Sequence, residues 1–283
     1  MGLLRDKMTA DLALAGYCPA TRSHYLRCIR AFARHFLRPP EDLGTPEVRA
    51  FLLHLVEERK LSGGRFNQYM CALKFLYGVT LGRPDVMEGL RFRKHRQTPP
   101  DALTRDEVLR VLAAAPSAYW RTFFLAGYAT GLRRFEVAAL RAEDIDAASG
   151  LLRVAHGKGD KPRVVMLDPT LLAALRAHWR TECLPGPWLF PARAGRLWAN
   201  HPVLPASASD AFRVALAKAA IGRRVTLHGL RHAFATHCLE DGTDVITLQK
   251  LLGHSSVVTT ARYAQVRTDQ IRRTPSPLSK LQR

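Results

Sequence analysis

Apolar residues along the first 90 positions recur with helical spacing, and no stretch there shows the alternation of a strand. Tyr25, Ile29, Phe32 and Phe36 fall at i, i+4, i+7 and i+11, which is one face of a helix. Val48, Phe51, Leu52 and Leu55 make a second stripe. It follows Thr45-Pro46, which reads as a helix start with Thr as N-cap and Pro at the first helical position. Ser62-Gly63-Gly64 breaks the chain, and Tyr69, Leu73, Leu76 and Tyr77 line a further helix. Residues 1–90 are therefore predicted to form an all-helical domain.

The pattern changes after that. Arg91 to Ala102 reads as a basic linker: Arg91, Arg93, Lys94, His95 and Arg96 are followed by Pro99-Pro100, which stops a helix. Thr104 and Glu107 then match a capping box ahead of Val108, Leu109, Val111 and Leu112. One long helical stretch is expected from Tyr119 to Leu140. Leu151 to Ala155 and Arg163 to Leu167 are β-type runs flanking Gly157-Lys158-Gly159-Asp160, which predicts a hairpin. Thr170 is expected to cap a helix through Trp179, and Asp210–Ala220, Leu230–Leu239 and Asp244–Leu252 are helical in pattern. The expected fold is mainly α with a small antiparallel β-sheet. It comprises a helical domain (1–90), a basic linker (91–102) and a mixed α/β domain (103–283).

Charge narrows the class of partner. Lys and Arg total 43 against 24 Asp and Glu, a net +19. Residues 1–100 carry 17 basic and 9 acidic side chains and residues 101–283 carry 26 and 15, so the excess is not confined to a tail. A chain with 47% apolar residues can bury a core, and one this basic points to a polyanion, nucleic acid first. Arg27, Arg30, Arg34, Arg65 and Lys74 on the first helices are either a solvated face or a phosphate-contacting surface. Arg5, Asp6, Lys7 and Asp11 interrupt any apolar signal-peptide core, and no window approaches 18 apolar residues, so no membrane association is expected. Five scattered cysteines with no CxxC pair fit a reducing, cytoplasmic compartment.

Candidate chemistry concentrates in the second half. Arg133 lies in Thr130-Gly131-Leu132-Arg133, Lys158 in Gly157-Lys158-Gly159, and His228, Arg231, His254 and Tyr263 in the stretch Leu227–Val266. A phosphodiester transition state spreads negative charge over non-bridging oxygens, which suits the permanently charged guanidinium forks of Arg133 and Arg231. Arg134 competes with Arg133 on spacing, and Arg133 could instead pair with Glu136 on a helix surface. Lys158, at a hairpin turn, could protonate a leaving oxygen if neighbouring arginines lowered its pKa. Tyr263 is a phenol that needs cations or a base to become a nucleophile. No P-loop frame surrounds Lys158 or Lys161. His228 and His232 have the spacing of zinc ligands, but the glutamate of HExxH is missing and Arg231 stands beside them. His232 and His237 read as structural, and no metal or other cofactor is expected.

These residues together resemble the tyrosine recombinase (phage integrase) family. TGLR-x-x-E, GKGDK-x-R, H-x-LRH-x-FATH, LLGH and TT-x-x-Y occur in family order across the whole second domain. The first domain and its linker are similar to the family's core-binding domain. The resemblance implies that Arg133 and Arg231 clamp the phosphate, Lys158 is the general acid, and His228 is an acid/base or hydrogen-bond partner. It makes His254 a second hydrogen bonder to the transition state and Tyr263 the nucleophile that forms a 3′-phosphotyrosine. It also implies a double-stranded DNA recombination site as substrate, a two-domain clamp around duplex DNA, and a homotetramer acting on two duplexes. A directionality accessory protein would be a possible further partner. Two positions depart from the pattern: Phe135 stands where a small polar residue is usual, and Met166 where a proline often follows the second strand. With no long insertion between Lys158 and His228, and a helical domain starting almost at Met1, the chain is similar to simple Xer-like, phage-borne or transposon-borne members without an arm-binding domain. After Tyr263, the short tail with Ile271, Leu278 and Leu281 either docks on a neighbouring protomer or is a solvated basic segment. The rivals are a non-catalytic DNA-binding or architectural protein with the same fold, and a metal-dependent nuclease, against which the lack of clustered carboxylates argues.

Overall fold

The computed structural model describes residues 2–94, 102–155, 162–182, 184, 186–195, 197–254 and 260. Lys158, Tyr263, the linker's His95, Arg96, Pro99 and Pro100, and the tail after Tyr263 lie outside the described residues. The chain divides into two compact units, Met1–Thr98 and Pro99–Arg283.

Among the described residues, the α-helices of the first unit are α1 (Gly2–Leu14), α2 (Pro19–Phe36), α3 (Thr45–Glu57) and α4 (Gly63–Phe75). The stripes seen in the sequence turn inward: Phe32, Val48, Leu55, Met70 and Leu73 are buried in one core with Leu12 of α1. The chain continues through a π turn, Leu76–Thr80, where Tyr77 is buried and its hydroxyl donates to Pro40 O at 3.0 Å. The cap of α3 differs from expectation. Gly44, not Thr45, is the N-cap; the Glu47 carboxylate accepts from Gly44 N at 2.9 Å, and Thr45 Oγ1 donates instead to Val86 O. A carboxylate in the first turn satisfies the Gly44 N–H and suits the helix dipole, while the threonine hydroxyl finds its partner on another segment.

The second unit runs α5 (Arg105–Ala113), α6 (Ala118–Thr130), α7 (Arg134–Ala138), β1 (Ile145–Asp146), β2 (Leu151–Val154), β3 (Arg163–Met166), α8 (Pro169–Glu182), β4 (Pro191–Ala194), β5 (Leu197–Pro202), α9 (Pro205–Lys218), α10 (His228–Glu240) and α11 (Val245–Leu252). The expected class holds: mainly helical, with small antiparallel sheets. The capping box of α5 is complete, Thr104 Oγ1 accepting from Glu107 N and Glu107 Oε2 from Thr104 N. The β2–β3 pair is antiparallel as expected, with Leu152 opposite Val165 and both side chains buried, and β1 adds a third strand. Strands β4 and β5 form a separate antiparallel pair that the apolar pattern does not predict.

Three further differences have local causes. The stretch expected as one helix from Tyr119 to Leu140 breaks after Thr130, because Gly131 adopts φ +63° and caps α6. The next helix, α7, restarts with Arg133 as its extended N-cap. Asp168, not Thr170, caps α8, its carboxylate accepting from Thr170 N at 2.7 Å. Helix α9 begins at Pro205, five residues before Asp210, since proline fits the first turn. Among the described residues, no helix is long and apolar enough to cross a membrane.

Candidate active site

The break at Gly131 builds the site. Glycine is required there: a Cβ would sit 2.3 Å from the ring of Phe234 on α10, so α6 and α10 approach through that gap. Ending α6 early turns Arg133 out of the helical path. Its backbone N–H donates to Glu136 Oε2 at 2.7 Å and its Nη1 to Glu136 Oε1 at 2.8 Å. The local ion pair with Glu136 is thus real, yet Arg133 also reaches Gly253 O through Nη2 at 3.1 Å. Arg134 goes elsewhere, to Ser209 Oγ on α9 at 3.2 Å.

Arg231, on α10, is 1% exposed. Its Nη1 donates to Gly131 O at 2.8 Å and its Nη2 to Leu252 O at 2.6 Å. Its Nη2 also lies 3.0 Å from His254 Nε2. An arginine can only donate, so Nε2 of His254 accepts and the proton sits on Nδ1. That Nδ1 faces Thr260 Oγ1 at 2.9 Å, and Thr260 is buried. His254 is therefore held as a neutral ring between Arg231 and a threonine three positions before Tyr263 in the sequence.

Helix α11 supplies the complementary charge. Leu251 O accepts from Arg163 Nε at 2.9 Å, Leu252 O from Arg231 and Gly253 O from Arg133. Three guanidiniums thus serve the unpaired carbonyls and the negative dipole end of one helix. Its N-terminus is capped by Asp244, which accepts from Ile246 N and Thr247 N. Glu136 sits in the middle, its side chain 3% exposed, in contact with Arg133 and gripped by both Nη atoms of Arg163 at 2.9 and 2.7 Å. Arg231 Nη1 is 4.0 Å away. Burial drives the Glu136 carboxyl up, but the hydrogen bonds from Arg163 and from Arg133 prevail and hold it below the usual carboxylate range. Arg163 and Glu136 are components that residue spacing alone does not single out, although they close the GKGDK-x-R and TGLR-x-x-E motifs.

His228 opens α10 and presents one side to solvent. The protein packed behind its ring, then the charges of Arg231 and Arg133, lower its pKa to about 4. His232 stacks edge-on to it, ring centroids 4.5 Å apart, and is lowered to about 4 mainly by burial. His237 is buried with Nδ1 2.9 Å from the Tyr128 hydroxyl, away from the cluster. Phe135 and Met166, the two unusual positions, are exposed. Among the described residues, no three His, Cys, Asp or Glu side chains group as metal ligands would. Of the six candidate residues, Arg133, Arg231 and His254 converge directly. His228 adjoins them through the charges of Arg231 and Arg133, and Lys158 and Tyr263 lie outside the described residues.

The phage integrase family model matches residues 101–270, and that of the phage integrase N-terminal SAM-like domain matches residues 4–85. The candidate integrase/recombinase y4qK of Sinorhizobium fredii is 39% identical over 282 residues, covering 99% of this chain and 90% of that protein. The tyrosine recombinase XerA of Thermococcus kodakarensis is 31% identical over 270 residues, covering 95% and 92%. In fold, the chain is similar to a lambda integrase dimer bound to a COC′ core site, with a TM-score of 0.76 at 21% identity, covering 98% of each chain. A family model over most of the chain and relatives of this identity over nearly all of it lead to one conclusion: the chain belongs to the phage integrase family of tyrosine recombinases.

Proposed function

We propose that this chain is a site-specific DNA recombinase that cleaves and rejoins strands through a covalent 3′-phosphotyrosine on Tyr263. The observation that carries the reading is the convergence of Arg133, Arg231 and His254 on one end of α11, with His228 beside them. Such a cluster neutralises a phosphodiester with preorganised donors. Arg133 and Arg231 would bind the two non-bridging oxygens. His254 would hydrogen-bond the same phosphoryl group once Nε2, released from Arg231, carries a proton to donate. His228, neutral at physiological pH, would accept or share a proton with the attacking phenol or a phosphate oxygen.

The step balances as a transesterification. Tyr263 Oη passes its proton to His228 and forms a bond to phosphorus, the P–O5′ bond breaks, and the departing 5′-oxygen takes a proton from Lys158. The phosphodiester energy stays in the tyrosyl link, so a 5′-hydroxyl from another duplex can attack it and release the tyrosine. Nothing in this route consumes a nucleotide cofactor or requires a metal. Exchange between two duplexes engages four strands, for which a homotetramer gives one nucleophile per strand. A protein that acts in this way works on double-stranded DNA carrying its recombination site.

The test is covalent capture. The full chain is incubated with a pool of nicked duplexes carrying a randomised core, and denaturant-resistant adducts are isolated and sequenced. The nick lets the 5′-fragment diffuse away and traps the intermediate. The expected result is an adduct enriched in one core sequence, and Tyr263→Phe should bind the same DNA without forming it. An adduct of undiminished yield with Tyr263→Phe would refute the nucleophile; binding with no adduct from the unaltered chain would favour the architectural protein.

A further inference from the structure

We infer that Arg163 is a positioning residue for strand cleavage, holding Glu136 and the C-terminus of α11 so that Arg133 and Arg231 keep their charge available for a phosphate. The inference rests on the recombinase reading above and adds to it a residue whose role lies behind the reacting groups.

Arg163 joins three elements, its guanidinium hydrogen-bonded to a carboxylate and a backbone carbonyl. It starts on β3, forks onto both oxygens of Glu136 on α7, and places Nε on Leu251 O of α11. Its side chain is 10% exposed. Gly253 leaves the lane it runs through: a Cβ there would lie 3.1 Å from Arg163 Cδ and 3.2 Å from Nε and Nη1. The glycine of LLGH, besides ending α11 at φ +61°, therefore admits this guanidinium.

The electrostatics say what the fork accomplishes. Three guanidiniums, Arg133, Arg163 and Arg231, surround one buried carboxylate, leaving a net surplus of two positive charges. A carboxylate this buried must be paired by hydrogen-bonded cations. With Arg163 occupying both oxygens, Arg231 Nη1 stays at 4.0 Å, beyond hydrogen-bond range, and directs its donors to Gly131 O, Leu252 O and His254. Without the fork, Glu136, already in contact with Arg133, would draw Arg231 inward as well, and its charge would offset half of that meant for DNA. The C-terminal turn of α11, and with it His254, would also lose an anchor. Lysine cannot substitute, because one ammonium cannot serve two carboxylate oxygens and a carbonyl in that planar arrangement.

The experiment uses the full chain and the core sequence recovered by covalent capture. Single-turnover adduct formation is followed for the unaltered chain, Arg163→Lys, Arg163→Met and the double variant Arg163→Met/Glu136→Gln. Substrates are ordinary nicked DNA and DNA with a methylphosphonate at the scissile position, which lacks the negative charge the clamp must neutralise. Arg163→Lys should bind DNA within about twofold of the unaltered chain, since affinity is spread over many phosphates. It should cleave ordinary DNA about tenfold or more slowly, a fraction of what losing a direct transition-state donor costs. On the methylphosphonate the deficit should shrink to within about threefold, because the charge to be balanced is gone. The double variant removes the carboxylate along with its partner and should cleave faster than Arg163→Met; with no buried charge left unpaired, it keeps the test open if Arg163→Met fails to fold. Arg163→Lys cleaving like the unaltered chain, or slowed equally on both substrates, overturns the inference, as does a double variant no faster than a folded Arg163→Met. Failure of the unaltered chain to form any adduct is a different result and removes the recombinase reading itself.

Discussion

At the scale of single residues, the cluster is a set of cations kept apart by what each one donates to. Arg133 and Arg231 are tethered to backbone carbonyls and one carboxylate, so their positions are set before DNA arrives. Preorganisation of this kind lowers a barrier because no dipole has to turn during the reaction. Lys158 should then act on the leaving group alone. Lys158→Ala is expected to slow cleavage of ordinary DNA by about 100-fold or more, the usual worth of a general acid. DNA with a 5′-bridging sulfur should lose only a few-fold, because sulfur leaves without a proton; equal losses on both would make Lys158 a phosphate contact. His228 gives a pH signature. Its folded pKa, about 4, is below its ordinary 6.5, so the folded chain takes up the proton less readily than the unfolded chain. The stability it contributes is complete above pH 6.5 and is lost as pH falls through about 4. Urea midpoints between about pH 7.5 and 4 should therefore drop with acid, and His228→Asn should make that drop shallower. An unchanged slope would assign the titration to other groups, His232 first.

At the scale of elements, Gly131 does the most with the least. It ends α6, lets α10 approach, and offers its carbonyl to Arg231. Gly131→Ala would force an L-residue into φ +63° and a methyl into Phe234. The combined cost is about 2–4 kcal/mol, from left-handed backbone strain and overpacking. Denaturant unfolding should show a fall of that size, with adduct formation falling further than stability as Arg231 loses its seat. A stability within about 0.5 kcal/mol of the unaltered chain, the scatter of an ordinary surface change, would mean that the ring moves aside freely. The same glycine shows what a sequence discloses. It is visible within Thr130-Gly131-Leu132-Arg133, yet apolar spacing continues across it to Leu140, so the stretch reads as one helix until packing is known. Residue types in motifs are legible for the same reason that they function: a phosphate needs arginines and histidines. Arg163 is visible in GKGDK-x-R, but its role is not, because its partner Glu136 is 27 positions away on another element and no spacing rule connects them. The β4–β5 pair is hidden because Pro191–Pro202 alternates poorly, with Arg193 paired opposite Trp198. At the caps of α3 and α8, Glu47 takes the N–H of Gly44 and Asp168 that of Thr170, while the Thr45 hydroxyl turns to Val86 O, pairings that the order of residue types does not reveal.

At the scale of the whole molecule, two units each bury their own core, and both are basic, so affinity for DNA should be distributed across the chain. The first unit has a feature suited to it. A cavity of about 430 Å³ is lined by Arg27, Arg30, Arg34 and Arg59 around the rings of Phe51 and Tyr69. Arg27, Arg30 and Arg34 follow one another along one exposed side of α2, at a spacing that brings successive side chains to the same face. Surface arginines on an aromatic floor present charge to a backbone and planar groups to whatever stacks beside it. The alternative is a merely solvated face, and salt separates the two. Each phosphate that a variant no longer neutralises on duplex DNA should flatten the slope of log K against log salt by about 0.9. Replacing Arg27, Arg30 and Arg34 with Gln should therefore weaken binding of the full chain and flatten that slope by roughly two to three. Because these residues belong to the first unit, adduct formation at saturating protein should keep its rate, which distinguishes weakened affinity from a damaged active site. The measurement is a titration of the recovered core duplex by fluorescence anisotropy from about 50 to 200 mM salt, a range over which neutralising several phosphates changes affinity by orders of magnitude. An unaltered slope would return these arginines to solvent and leave the second unit as the main source of binding.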